Sequence, residues 1–335
     1  MKYLSWIGIV ALALLATGCA GKKYFEPENT LSAAAATTAH AGKSTYLTRD
    51  GVTFDNGTYI NKTNQGSLVL GQGDVYLGES PSYILVGSKD GTLSLMGKSA
   101  KKSVKTIAFH VPVVSAAINN NTIVYLLQDN TFGLYQLSTN EKLIESKSDT
   151  TYAVDARIAS PIFVDNLAVI PTLDGKLVIV DMQSPENAKV IYVSSATNLN
   201  NIIHLSRIGN LLVTATPSKV MTVGSSEGEF DEGISEVAVG GNAIYVFTKA
   251  GEIIKFSPEL KELARKKFKF AHFSVGAFYR GRVYAMDHQG SLIVLDQNLA
   301  KYRIYDVDKV EDFAFVSGGK IYKDNDVISL DKLGL

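Results

Sequence analysis

Side chains able to do chemistry are few in this chain, and they are scattered. The five histidines are His40, His110, His204, His272 and His288. None shows the His-x-His or His-x-x-x-His spacing that would set two imidazoles on one metal. His110 lies in the apolar run AFHVPVV and reads as a hydrogen-bonded core residue, while His288 sits in a hairpin turn. No Gly-x-Ser-x-Gly segment offers an exposed serine nucleophile. Gly71, Gly73 and Gly78 in VLGQGDVYLGES do not follow a phosphate-cradling spacing, and no helix follows them. The acidic run DVDKVED (306–312) lacks the glycine and the spacing of a calcium loop. These absences lead to the expectation of a non-enzymatic protein without cofactor or metal.

The chain's one cysteine, Cys19, follows the ten-residue apolar run WIGIVALALL and the small residues Ala16, Thr17 and Gly18. That run is too short to span a bilayer, and Lys2 supplies a positive charge ahead of it. The pattern resembles the bacterial lipobox. The resemblance implies cleavage between Gly18 and Cys19 and acylation of the cysteine thiol and the new amine. It also implies residues 1–18 as a removed signal, and stable anchoring through several acyl chains. Ala20, not an aspartate, follows the cysteine. That favours the outer membrane, with the protein on its periplasmic face. Residues 20–43 are small, polar and rich in Ala and Thr, which predicts a flexible tether. One short helix at 30–37, or one strand, is expected within it.

Composition bounds the rest. Of 335 residues, 46% are hydrophobic and 20% charged, a globular balance. Lys plus Arg and Asp plus Glu number 33 each, so neither nucleic acid nor a polybasic membrane patch is expected. One cysteine excludes a disulfide framework and cysteine-based zinc sites.

The elements that must position any site repeat every forty residues or so. Each repeat has an apolar strand, a tight polar turn and a second apolar strand. The turns fall at Asp50-Gly51, Asp90-Gly91, Asp129-Asn130, Asp174-Gly175, near Ser218, Ala250-Gly251, Gln289-Gly290 and near Asp324-Asn325. Such pairs supply positive φ angles, and the flanks are rich in Val, Ile, Tyr and Thr. A further strand precedes each hairpin and another often follows. Four strands per forty residues predict an all-β propeller of four-stranded antiparallel blades over 44–335. Eight hairpins give eight blades, or seven if the Asp50-Gly51 hairpin only completes the ring. The chain stops on a third strand, so an N-terminal strand from 22–48 is expected to close the last blade. The basic stretch ending PELKELARKKFKF (258–270) reads as a solvated outer edge strand.

SPIFVDNLAVIPTLDGKLVIVD (160–181) and GRVYAMDHQGSLIVLDQN (281–298) resemble the quinoprotein-like propeller repeat. With the lipobox, the tether and the truncated last blade, the whole resembles the BamB family. These are propeller lipoproteins of the outer-membrane β-barrel assembly machinery. One departure is visible: the usual terminal tryptophan is replaced, as at Ile144, Tyr192 and Tyr305, which are expected to fill the same space between blades. The lack of tryptophan and of a second cysteine in the mature chain also removes the cofactor floor of quinone dehydrogenases.

The resemblance implies a scaffold, a monomer within a complex, whose partner is the barrel-forming assembly subunit. The loops ahead of the fourth and fifth hairpins would make the contact. Here these are 194–206, with Leu199, Ile202 and Ile203 as an exposed apolar anchor, and 225–235, with Glu229, Asp231 and Glu232 as an acidic rim. Arg207 stands near the position of the family's loop arginine, closer to the strand. The alternative is a propeller lipoprotein that binds peptidoglycan, a glycan or a host protein.

Overall fold

In the computed structural model the described residues are 23–40, 42–63 and 65–335. The signal and Gly18–Cys19 lie outside them. Eight sheets follow one another around a ring. Blade 2 shows the pattern: Val75–Glu79, Tyr83–Gly87, Thr92–Gly97 and Lys102–Ala108, each antiparallel to the last. Blades 3 to 8 span residues 113–147, 162–192, 204–231, 234–267, 273–306 and 314–329. Blade 1 begins at Ser44–Leu47, Gly51–Phe54 and Tyr59–Asn61. First strands of neighbouring blades meet around the axis, and fourth strands lie outermost.

Eight apolar clusters fill the eight seams between blades. One seam joins Leu77 and Leu85 of blade 2 to Ala116 and Ile123 of blade 3. Six more run on around the ring. Val52, Phe54 and Ile60 of blade 1 meet Phe313, Phe315 and Tyr322 of blade 8, which closes the circle. Each blade is covered on both faces. Its middle strands therefore bury continuous apolar runs such as Ile123–Leu127 rather than alternating with polar residues. Outer strands are polar, as in Lys102–Ala108 and Glu141–Lys147. Glu262–Lys267 is such an outer strand in blade 6, as its charge predicts.

The N-terminal segment supplies the closure. Thr37–Ala39 pairs antiparallel with Asp326–Ser329, opposing Thr37 to Ile328, and becomes the fourth strand of blade 8. Leu31–Ser32 pairs in parallel with the outer strand of blade 7, and a 3-10 turn at Ala34–Ala36 joins the two. The expected tether of 19–43 is therefore too long at its inner end. Ala33 and Ala36 are buried in the seam between blades 7 and 8, and Phe25 packs edge-on to Phe268 at 5.8 Å.

The Asp50-Gly51 turn has another role than its position suggests. Ser44–Leu47 is the first strand of blade 1 and pairs with Gly51–Phe54, its second. Asp50-Gly51 is thus the turn between the first and second strands of the blade, where the Thr48 N–H donates to the Gly51 carbonyl as the Ser80 N–H does to the Tyr83 carbonyl in blade 2. Gly51 has no positive φ. A Cβ there would meet the Ile60 carbonyl oxygen at 2.3 Å and the Tyr76 ring at 2.7 Å, so the close approach requires glycine. The turn between second and third strands is at Asn56-Gly57, where the Leu70 N–H donates to the Gly57 carbonyl as Phe109 does to Gly91 and Phe268 to Gly251; Gln65, bridging Ile60, opens the outer segment of the blade.

Two further expectations are corrected. His110 is exposed, not in the core; it lies in the connection from Lys102–Ala108 to Val113–Asn119 and meets Asp129 at 3.0 Å. Tyr192 is 67% exposed under the Lys176 ammonium and does not fill the seam, whereas Tyr305 does.

Candidate protein-docking face

One face of the ring carries the turns between second and third strands together with the connections that lead into each next blade. Acidic and amide side chains lock the two together. Asp174 accepts hydrogen bonds from Ser148 Oγ at 2.7 Å and Asn130 Nδ2 at 3.0 Å, and pairs with Lys176 at 2.6 Å. Burial disfavours its charge, but Lys176, Thr172, Ser148 and Asn130 outweigh that and hold the carboxyl below its usual range. Asp287 receives the backbone N–H groups of His272 and Gln289. Asp324 receives those of Glu311, Asp312 and Phe313. Loops that look free in sequence are therefore fixed.

At the axis, the inner hairpin carries Arg49 across the ring. Blade 5 stands opposite blade 1 in a ring of eight. Arg49 Nε donates to the carbonyl oxygen of Ile203, just ahead of blade 5, at 2.6 Å. Its two terminal nitrogens meet the two carboxylate oxygens of Glu236 in blade 6, each at 2.8 Å. Beside it Arg157 pairs with Asp155 and donates to the Ser235 carbonyl oxygen. Burial opposes the Asp155 charge, and Arg157 overrides it to hold the carboxyl low. His204, hydrogen-bonded to Ser206 Oγ at 2.7 Å, is pushed down to about 3 by burial and then by the charges of Arg49 and Lys62. The polar groups near the axis are thus engaged with one another and span the central opening.

Outward from this plug lies an apolar patch. Tyr152 is 90% exposed, and Val154 and Leu199 are exposed as well. The Leu199 N–H donates to the Ala153 carbonyl oxygen at 3.1 Å, so the two loops form one surface. Beneath, Asn201 Oδ1 accepts the Asp155 N–H and its Nδ2 donates back to the Asp155 carbonyl. An exposed tyrosine and two aliphatics on backbone held this way suit a protein contact.

The expected anchor is only partly present. Leu199 is on the surface, but Ile202 and Ile203 are fully buried in the seams on either side of blade 5 and offer nothing to a partner. The acidic residues lie elsewhere than expected. Glu229 and Asp231 belong to the outer strand Gly228–Asp231 of blade 5, not to a loop, and share Lys219 at 2.7 and 3.4 Å. Glu232 follows the strand, its N–H donating to the Ser218 carbonyl. Among the described residues no hydrogen bond or ion pair joins this acidic strand to the Leu199 loop. Arg207 lies on the first strand of blade 5 and donates to the Gly209 carbonyl. Tyr152 and Val154 were missed by sequence reasoning. The signal was the long connection between the strands Glu141–Lys147 and Ile162–Val164.

Among the described residues no three His, Cys, Asp or Glu side chains gather as a metal site, and no helix is long and apolar enough to cross a membrane. A groove of about 580 Å³ lies between residues 25–31 and the outer strands of blades 6 and 7.

Fold and face together define an eight-bladed β-propeller presenting a rigid, loop-built surface. Its likeness to solved structures is one of fold. BamB from Moraxella catarrhalis superposes with a TM-score of 0.66 at 12% identity, covering 89% of this chain and 98% of that one. The C-terminal WD40 domain of Sif2 gives 0.64 at 13%, covering 88% and 98%. By sequence, the chain is 25% identical over 363 residues to plasminogen-binding protein PgbB of Helicobacter pylori strain J99, covering 94% of this chain and 67% of that protein. It is 28% identical over 214 residues to PgbB of strain 26695, covering 63% of this chain and 39% of the relative. No family model matches the chain.

Proposed function

We propose that this chain is a non-enzymatic propeller of the bacterial outer membrane, anchored by lipid at Cys19, that binds another protein on its turn-bearing face. The exposed patch of Tyr152, Val154 and Leu199 carries the reading, because it is apolar, held by fixed loops and available to a partner. The non-enzymatic part is supported by the polar groups near the axis, whose donors and acceptors are engaged with one another. A host protein is the partner class we favour. One of the two relatives named for plasminogen binding aligns along 94% of the chain, the other along 63%, and plasminogen is the first candidate to test.

A second reading is favoured by the superposition on BamB and by the lipobox pattern: a scaffold of the barrel-assembly machinery. In-cell crosslinking of the lipidated protein, followed by identification of partners by mass, separates the two. Capture of the barrel-forming subunit, reduced by charge reversal at Glu229 or Asp231, would establish the scaffold and sink the host-protein reading. Host protein captured on intact cells, with no assembly subunit, would do the reverse. Protein that stays in the membrane fraction through a high-salt wash after Cys19→Ala would contradict the anchor.

A further inference from the structure

We propose that the rim of blade 6, on the turn-bearing face, rests on an anionic phospholipid surface. This rests on the anchor reading at Cys19. The first described residues do not leave the ring freely. Phe25 packs on Phe268, and the Lys23 ammonium lies 5.6 Å from the centre of the Phe270 ring. Lys23 lies four residues beyond Cys19, and at about 3.5 Å per residue that is a reach of at most about 14 Å. An acylated Cys19 therefore holds this rim close to the bilayer, whatever path those residues take.

The rim has matching chemistry. Lys23, Lys249, Lys267 and Lys269 are all exposed there. Phe270 stands among them, 37% exposed, with Lys269 also over its ring at 5.1 Å. Lys249 lies at the turn between the second and third strands. Phe268 ties the rim to that turn, its N–H donating to the Gly251 carbonyl. Of the carboxylates nearby, Glu252 is mostly buried and already pairs with Arg265 and Lys267, and Glu26 and Glu28 line the groove beside Lys267 and Lys269. The chain as a whole is neutral, which argues against a polybasic patch, but folding sorts its charges locally. Lysines around an aromatic ring beside a lipid anchor supply the second signal that firm membrane attachment uses.

The test uses the mature chain with Cys19→Ala, so that acylation plays no part and every described residue is kept. Binding to vesicles of phosphatidylglycerol mixed with phosphatidylethanolamine is compared with binding to phosphatidylcholine vesicles by co-sedimentation. We expect preference for the anionic vesicles, lost on raising salt. We expect K23E/K249E/K269E to weaken binding tenfold or more, while K89E/K101E/K102E on blade 2, with the same charge change, leaves it intact. Thermal melts of both variants guard against misfolding, and the salt dependence of the unmutated rim needs no variant. No preference for anionic vesicles, or equal loss in both triple variants, overturns the proposal. The two readings fail separately: an unacylated Cys19 with vesicle binding intact removes the anchor only. An acylated Cys19 without vesicle binding removes the surface only.

Discussion

Arg49 on the inner hairpin of blade 1 crosses the ring axis and grips Glu236 of blade 6 with two parallel hydrogen bonds of 2.8 Å. Glu236 is buried, and its carboxylate oxygens are satisfied by this partner and by the Val237 N–H. Breaking a buried pair by removing one partner costs roughly 3 kcal/mol. Arg49→Met and Glu236→Met are each expected to lose about that much, and the double variant to recover much of it. Urea unfolding of the four proteins checks this. Two small, additive losses would mean that the pair does not brace the ring.

His204 makes stability depend on pH. An unfolded histidine titrates near 6.5, whereas folded His204 is held down to about 3. Between these values the unfolded chain binds the extra proton. The contribution is therefore complete above about pH 6.5 and is lost as pH falls toward 3. His40, lowered by burial, acts in the same direction. A single such group changes stability by at most about 1.4 kcal/mol per pH unit. Unfolding free energy is expected to fall from pH 7 to pH 5, and His204→Asn to flatten that slope. An unchanged slope would show that His204 titrates alike in both states.

Ring closure depends on Thr37–Ala39. Removing residues 23–39 exposes the edge of Asp326–Ser329 and uncovers the seam around Ala33 and Ala36. Exposed strand edges pair with other chains. The truncated protein is expected to unfold at lower urea and to self-associate, as light scattering would register. A monomer of unchanged midpoint would place closure elsewhere.

Much of this architecture was legible because each blade's central hairpin writes itself plainly: Val, Ile and Tyr on both sides of Asp-Gly or a similar pair. The same rule misplaced blade 1. Asp50-Gly51 has the residues of a second turn, yet it joins the first strand to the second, and Asn56-Gly57 makes the second turn; local turn chemistry does not record how many strands precede it. The candidate site was less legible. Ile202 and Ile203 look like an exposed anchor, but their direction is set by the seams around blade 5, which no local pattern encodes. Tyr152 sits alone in a polar stretch and reads as loop, and its surface exists only once the Ala153 carbonyl meets the Leu199 N–H. The tether was misread for the same reason: small residues such as Ala33 and Ala36 fit a crowded seam as well as a flexible linker.

The central claim is protein binding by the Tyr152–Leu199 surface, and plasminogen binding by the purified mature chain tests it most directly. The account predicts saturable binding by surface plasmon resonance, weakened tenfold or more by Tyr152→Asp or Leu199→Asp with the thermal midpoint unchanged. Tyrosine anchors at interfaces commonly contribute about 2 kcal/mol or more, which sets that scale. No binding to plasminogen, or binding indifferent to both substitutions, would contradict it.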